Sequence, residues 1–198
     1  MDRQPILEGE RLLLRPLAAD DWDALYTVAS DPKVWELHPA NDRWKEDVFR
    51  AYFADALAQG GASAVIDRDS GQIIGSSRMQ AYDPAGGGSV EIGWTFLGRD
   101  HWGGTTNREM KRLMLAHALQ FVERVDFRVA EHNLRSRRAM EKIGGQLTQR
   151  DGGLVETASG PVRHVVYEIT RESFAAGPLS AAVFPSAAGS GPARRSPD

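Results

Sequence analysis

A mixed α/β sheet, mostly antiparallel and with helices on both faces, is the architecture this sequence predicts. Three observations lead there. The apolar pattern switches repeatedly between the two-residue alternation of strands and the 3.6-residue recurrence of helices. The central segments ASAVID, QIIGSSRMQAY and VEIGWTF are joined by turns too short for crossovers, so they pair antiparallel. A helix then separates VEIGWTF from VDFRVAE, which makes those two strands parallel neighbours in a βαβ unit.

The elements follow in order. RLLLRPL, residues 11 to 17, reads as a strand, ended by Pro16 and the acidic AADD. Asp20 or Asp21 caps a helix whose apolar face holds Trp22, Leu25, Tyr26 and Val28. DPKVWELHP interrupts, and a second helix carries Val48, Phe49, Tyr52, Phe53, Ala56 and Leu57 on one face until Gly60 and Gly61 stop it. RDSG and DPAGGGS are the turns of the central strands. From Thr106 the period is helical, with Met110, Leu113, Met114, His117, Ala118 and Phe121 on one face. NLRSRRAMEKIGG is a helix capped by Asn133 and ended by Gly144 and Gly145. GQLTQRDGGLVET and VRHVVYEIT close the sheet. The folded domain is expected over 1–174, with 175–198, rich in Ala, Gly, Ser and Pro, as a flexible low-complexity tail.

Composition narrows the function only by exclusion. The 198 residues are 41% hydrophobic and 26% charged, enough for one domain with a core. A formal net charge of -3 supplies no basic field for nucleic acid. There is no cysteine, so disulfides and thiolate metal sites are excluded. Neither a signal-peptide pattern nor a run long enough to span a membrane is present, so a cytoplasmic protein without a membrane partner is the expectation.

Three stretches carry candidate chemistry. In HWGGTTNREM, residues 101 to 110, Thr106 and Glu109 fit a capping box. Gly103 and Gly104 just before it let backbone amides approach an anion at the positive end of the helix dipole. In VEIGWTF, alternation turns Ile92, Trp94 and Phe96 to the core and Glu91, Gly93 and Thr95 to the other face. Glu91 is then a candidate general base, directly or through a water, although a strand glutamate is more often solvated or salt-bridged. In NLRSRRAMEKIGG, Ser136 is the polar end of a stripe shared with Ala139, Met140 and Ile143, and either donates to a reacting group or bonds back to its own helix. Arg135, Arg137 and Arg138 flank it and either meet phosphates or form a solvated face. The histidines show no metal-ligand spacing, and no metal is expected. His101 and His132 lie nearest these loops as candidate proton carriers.

The order of these segments resembles the GNAT acetyltransferase superfamily, and within it the ribosomal-protein N-terminal acetyltransferase branch. LEGERLLLRPLAADDWDAL, VEIGWTF, DHWGGTTNREM and EHNLRSRRAMEKIGG are similar to that branch's motifs in the same order. The resemblance implies a GNAT-like fold in which VEIGWTF and VDFRVAE splay apart around the pantetheine arm of acetyl-CoA. It assigns the cosubstrate to Trp94, Thr95, Trp102, Gly103, Gly104, Thr105, Thr106, Asn107, Asn133 and Arg138. It makes Glu91 the base, acting through water, and Ser136 the proton donor to the leaving thiolate. The implied reaction is direct attack of a primary amine, on a small molecule or a protein N-terminus, on the thioester.

The sequence departs from the family pattern at four places. Thr105 and Asn107 stand where the phosphate loop has small residues, Met140 where many members have a tyrosine acid, and Gly145 where an aromatic is usual. These departures motivate a second reading, a catalytically weakened acyl-CoA-binding or protein-interaction module. Trp22, Trp35, His38 and Trp44 are candidate walls of the acceptor pocket or core residues, and a homodimer is a reasonable prior.

Overall fold

The computed structural model describes residues 1–157 and 160–180. Residues 181–198, most of the expected tail, lie outside the described residues. Eight strands form one sheet: β1 (Leu7–Glu8), β2 (Leu12–Pro16), β3 (Ala62–Asp67), β4 (Ile73–Asp83), β5 (Ser89–Leu97), β6 (Arg124–Ala130), β7 (Gln146–Thr157) and β8 (Gly160–Thr170). Their spatial order is β1-β2-β3-β4-β5-β6-β8-β7. Every neighbouring pair is antiparallel except β5 and β6, which are parallel as the helical crossover requires. The last strand enters between β6 and β7, so the closing pair joins the sheet through β8.

Among the described residues, six α-helices cover the two faces. On one lie α1 (Trp22–Ala29), α2 (Pro32–Trp35) and α3 (Glu46–Gln59); on the other, α4 (Thr106–Ala118), α5 (Leu134–Lys142) and α6 (Arg171–Ala176). The helix α2 arises within the expected interruption, where Asp31 accepts from the amide of Lys33 and Pro32 supplies a fixed φ for the first turn. The expected aspartate cap of α1 takes another form. The carboxylate of Asp21 grips Arg15 through two bonds of 2.6 and 2.7 Å and accepts from the amide of Ala18, tying the helix start to β2. α3 ends where Gly60 takes φ 67, a conformation costly for any residue with a β-carbon.

The core is two layers separated by the sheet. Under α1 to α3, Phe49, Trp35 and Phe96 interlock, with Phe49 edge-on to Phe96 at 5.8 Å. Under α4 and α5, Met110, Met114, Leu115, Ile92 and Phe127 pack together. The buried stripe of α4 is Met110, Lys111, Met114, Leu115 and Ala118, whereas Phe121, placed on that face by its spacing, is exposed beyond the helix end. α5 carries the expected cap, Asn133 accepting from the amide of Ser136, and ends with Gly144 at φ 90. Leu179, past α6, is buried in the same layer.

Candidate active site

The strands β5 and β6 are partners over three positions only, Ser89 with Arg124, Val90 with Val125 and Glu91 with Asp126. Past Glu91 both strands continue, β5 to Leu97 and β6 to Ala130, without pairing to each other. The sheet therefore opens as a wedge with Glu91 at its apex. On its other edge β5 is bulged against β4: two steps from Ser76 to Arg78 oppose three from Phe96 to Gly93. The extra residue is Trp94, whose φ of 56 puts a bulky side chain in the left-handed region at a cost on the order of 1–2 kcal/mol.

The bulge corrects the expected alternation. Ile92 does face the α4 layer, but Phe96 packs with Trp35 and Phe49 on the opposite side. An added residue inverts every later side chain, so Thr95 turns toward α4. The bulge is held from both faces. Tyr52 of α3 donates to the carbonyl of Trp94 at 3.2 Å. Lys111 of α4 donates to the hydroxyl of Thr95 at 2.7 Å and to that of Ser77 at 3.3 Å. Lys111 is 2% exposed, and among the described residues no carboxylate pairs with it. Burial pushes its ammonium down to about 7.

Glu91 is neither solvated nor free. One oxygen accepts from Nε of Arg128 at 2.8 Å and the other from Nε2 of Gln80 at 3.1 Å. Gln80 in turn accepts from the indole N–H of Trp94 at 2.5 Å. The apex carboxylate, the bulge and β4 thus form one connected network. A carboxylate offers about four lone-pair sites, so positions remain on Glu91 for a water.

The loop after β5 runs into α4, whose first residue is Thr106 and whose cap position is Thr105. The expected capping box does not form. Glu109 turns away and accepts from the amides of Arg11 and Leu12 at 2.9 and 3.2 Å, at the start of β2. A β-carbon on Gly9 would collide with that carboxylate, so the glycine makes this contact possible. Among the described residues, the Thr105 side chain makes no capping bond at the start of α4, and the amides of Thr106 and Asn107 lie at the positive end of the helix dipole. Gly103 has φ 74, and β-carbons built on Gly103 or Gly104 would meet nothing within 4 Å. The space over the helix start is open, as an anion requires.

The start of α5 faces this loop across the wedge. The guanidinium of Arg135 lies 4.1 Å from the Trp102 ring centroid and also donates to the carbonyl of Val34 at 3.3 Å. Asn133 is buried, Ser136 is half-buried and Arg138 is exposed. Among the described residues, no hydrogen bond occupies the Ser136 hydroxyl, and none joins Ser136 to Glu91. Met140 is buried in the α4–α5 layer.

The aromatic and histidine candidates divide. Trp35 is core, Trp22 stacks on Tyr26 at 5.3 Å between α1 and α3, and Trp44 is exposed. His38 accepts from the amide of Ala40 through Nδ1 at 3.0 Å, and burial, helped by the charge of Arg43, pushes its imidazole down to about 3. It is therefore neutral, with its proton on Nε2. Among the described residues, no group of three or more histidines, aspartates or glutamates is arranged to hold a metal ion. No described helix is long and apolar enough to cross a membrane.

Sequence reasoning missed Gln80, Arg128, Arg78 and Arg43. Each is an ordinary polar residue in its own segment; the register of β4, β5 and β6 gathers Gln80, Arg78 and Arg128, and the packing of the segment before α3 on Trp94 adds Arg43.

Residues 11–146 match the family described as "Acetyltransferase (GNAT) domain". The chain belongs to the GNAT acetyltransferase family. Solved GNAT structures share the fold across most of the chain. A GCN5-related N-acetyltransferase from Brucella melitensis is 23% identical with a TM-score of 0.74, over 91% of this chain and 84% of that one. A GNAT-family acetyltransferase from Bacillus anthracis is 22% identical with a TM-score of 0.67, over 85% and 99%. RimJ of Mycobacterium smegmatis, in complex with CoA-disulfide, is 17% identical with a TM-score of 0.64, over 85% and 86%. No curated protein matches the chain in sequence. GNAT membership carries acyltransferase activity and the binding of a CoA thioester at the level of the family.

Proposed function

We propose that this GNAT protein is an acetyl-CoA-dependent N-acetyltransferase acting on a primary amine, on a small molecule or a protein N-terminus. The observation that carries this reading is the wedge between β5 and β6, with Glu91 at its apex and the uncapped, glycine-flanked start of α4 at its mouth. The residues present fit the cosubstrate. Trp102 to Asn107 would take the pyrophosphate through backbone amides, Asn133 and Arg138 the pantetheine and phosphate flank, and the bulge at Trp94 and Thr95 the acyl end. When bound, acetyl-CoA supplies the acetyl group as a thioester open to direct attack by a neutral amine.

The chain's own residues then have separable tasks. Glu91, through a water on its remaining lone pairs, removes the proton that keeps the amine from attacking. Arg128 and Gln80 fix the carboxylate so that this water has one place to sit. A backbone N–H at the bulge polarises the thioester oxygen, with Tyr52 and Lys111 holding the bulge in position. Ser136 Oγ, unengaged among the described residues, donates a proton to the departing sulfur. The motif order of the four segments supports the ribosomal-protein N-terminal acetyltransferase branch.

Burial of Met140, where a tyrosine would serve as acid, favours one second reading: a weakened module that binds acyl-CoA without efficient transfer. Incubation with acetyl-CoA and a panel of primary amines, following free thiol, separates the two. The enzyme reading expects thiol release above hydrolysis with at least one amine. Thermal stabilisation by CoA without amine-dependent release would support the module, and no stabilisation would overturn both.

A further inference from the structure

On the α1–α3 face of the sheet, next to the wedge apex, a cavity of about 480 Å³ is walled by Trp94, Gln80, Arg128, Arg78, Arg3 and Asp55. Its volume suits a small molecule. Two of its walls, Gln80 and Arg128, are the residues that hold Glu91, so whatever fills the cavity lies beside the proposed base.

The charge of this cavity is out of balance. Three arginines line it; Arg78 is paired with Asp55 and Arg128 with Glu91, and among the described residues Arg3 bonds only backbone carbonyls, which leaves one cation of the lining without a carboxylate. Arg78 is only 3% exposed, yet a single one of its nitrogens is paired, Nη1 with Asp55 at 2.9 Å. Its Nε and Nη2 are buried without a hydrogen-bond partner. Such unmade bonds on a buried cation are costly; the guanidinium lies 4.9 Å from the Trp94 ring, and a small turn of it toward the cavity would bring these donors to an acceptor there. A further cation sits behind the wall: the guanidinium of Arg43 lies 4.8 Å from the Trp94 ring and 4.8 Å from the Tyr52 ring. Burial pulls Arg43 below its ordinary value, and the charge of Arg78 adds to this. No carboxylate forms a salt bridge with Arg43 among the described residues. The surplus is positive, fixed and partly dehydrated, the condition under which a carboxylate is bound most strongly.

We propose that this cavity is the acceptor site and that it selects a small amine that also bears a carboxylate, an aminocarboxylate in place of a polyamine or aminoglycoside. The proposal rests on the acetyltransferase reading for the fate of the amine, but the selection of the carboxylate is a binding property of the cavity itself. The carboxylate is held among Arg78, Arg3 and Arg128, and the amine is left toward Glu91.

Two measurements on the full chain test it together. In the first, amino acids, their carboxamides and a polyamine are compared without CoA by isothermal titration. In the second, the same panel, with a short peptide of acidic side chains and a free amino terminus, is compared in the thiol-release assay. The expected result is preference for the free carboxylate over the matched carboxamide by about tenfold or more, the scale of one hydrogen-bonded charge pair. Arg3→Gln and Arg78→Met should each reduce that preference, and Arg78→Lys should restore part of it. The Arg3 variant keeps the test decisive if burial of Arg78 makes its replacement unfold the chain. Equal or better binding of carboxamides or polyamines overturns the proposal, as does transfer to the acidic peptide in preference to every small aminocarboxylate. Carboxylate-selective binding with no thiol release would uphold the cavity's selectivity and defeat the transfer reading, so the two failures are distinguishable.

Discussion

Nζ of Lys111 lies 2.7 Å from Oγ1 of Thr95, a buried ammonium held by the hydroxyl that the Trp94 bulge has turned inward. Among the described residues no carboxylate shares this contact, and burial lowers the ammonium from 10.5 to about 7. Below about pH 7 both the folded and the unfolded chain hold this proton, and Lys111 gives stability no dependence on pH there. Between about 7 and 10.5 the unfolded chain holds a proton that the folded chain has released. Lys111 therefore makes the fold more stable as pH rises through that window, by up to ~1.4 kcal/mol per pH unit. Denaturant titrations from pH 7 to 9.5 should show this rise in the native chain and a flatter profile in Lys111→Met. Equal slopes in the two proteins would contradict the assignment.

Glu91→Gln keeps the shape of the apex residue and its capacity to accept from Arg128, but removes the base. Turnover with a good amine should fall by about 100- to 10,000-fold, the range for a positioned acid or base. Stabilisation of the fold by CoA should persist, because the loop and the start of α4 are untouched. A comparable loss of CoA binding would mean that Glu91 serves the architecture of the wedge and not the proton.

Tyr52→Phe deletes the hydroxyl that donates to the carbonyl of Trp94 and little else. A loss of about 1 kcal/mol of stability is expected from the bond. The bulge would also be held from one face only, so turnover should fall while the KM for CoA changes little. The split between the two kinetic constants is the diagnostic observation, since general loosening of the fold would move both.

Thr105 is exposed at the cap position of α4 and its side chain makes no capping bond. Replacing Thr105 with Gly and Asn107 with Ala should leave CoA affinity intact or raise it, because backbone amides supply the contacts and glycine at a cap position costs only a few tenths of a kcal/mol. Titration calorimetry with CoA reads this directly. A large loss would make the two side chains ligands of the phosphates.

The fold was legible because its elements are set by local patterns. Period changes, short turns between β3, β4 and β5, and the crossover to β6 were enough to define a sheet with one parallel pair. Positions in the candidate site were legible where a motif is contiguous: the strand place of Glu91, the glycines before α4, and the Asn133 cap. They were not legible where a single backbone event resets the pattern. Nothing in VEIGWTF announces that Trp94 adopts φ 56, and that event sends Phe96 to one face and Thr95 to the other. Glu109 misled for a related reason, since its spacing from Thr106 fits a cap while its true partners, the amides of Arg11 and Leu12, lie far away in the chain. Arg78 was invisible because a lone charged residue in a strand reads as a solvated one.

The central claim, that the wedge carries an acetyl group onto an amine, is tested most directly by the fate of a labelled acetyl carbon. The protein is incubated with acetyl-CoA labelled at that carbon and a panel of primary amines that includes aminocarboxylates and a peptide with a free amino terminus, and the products are separated by mass spectrometry. The account predicts label in an amide on the acceptor's nitrogen, with one free CoA formed for each acetylated molecule. Label remaining on CoA, or appearing only as free acetate, would contradict it.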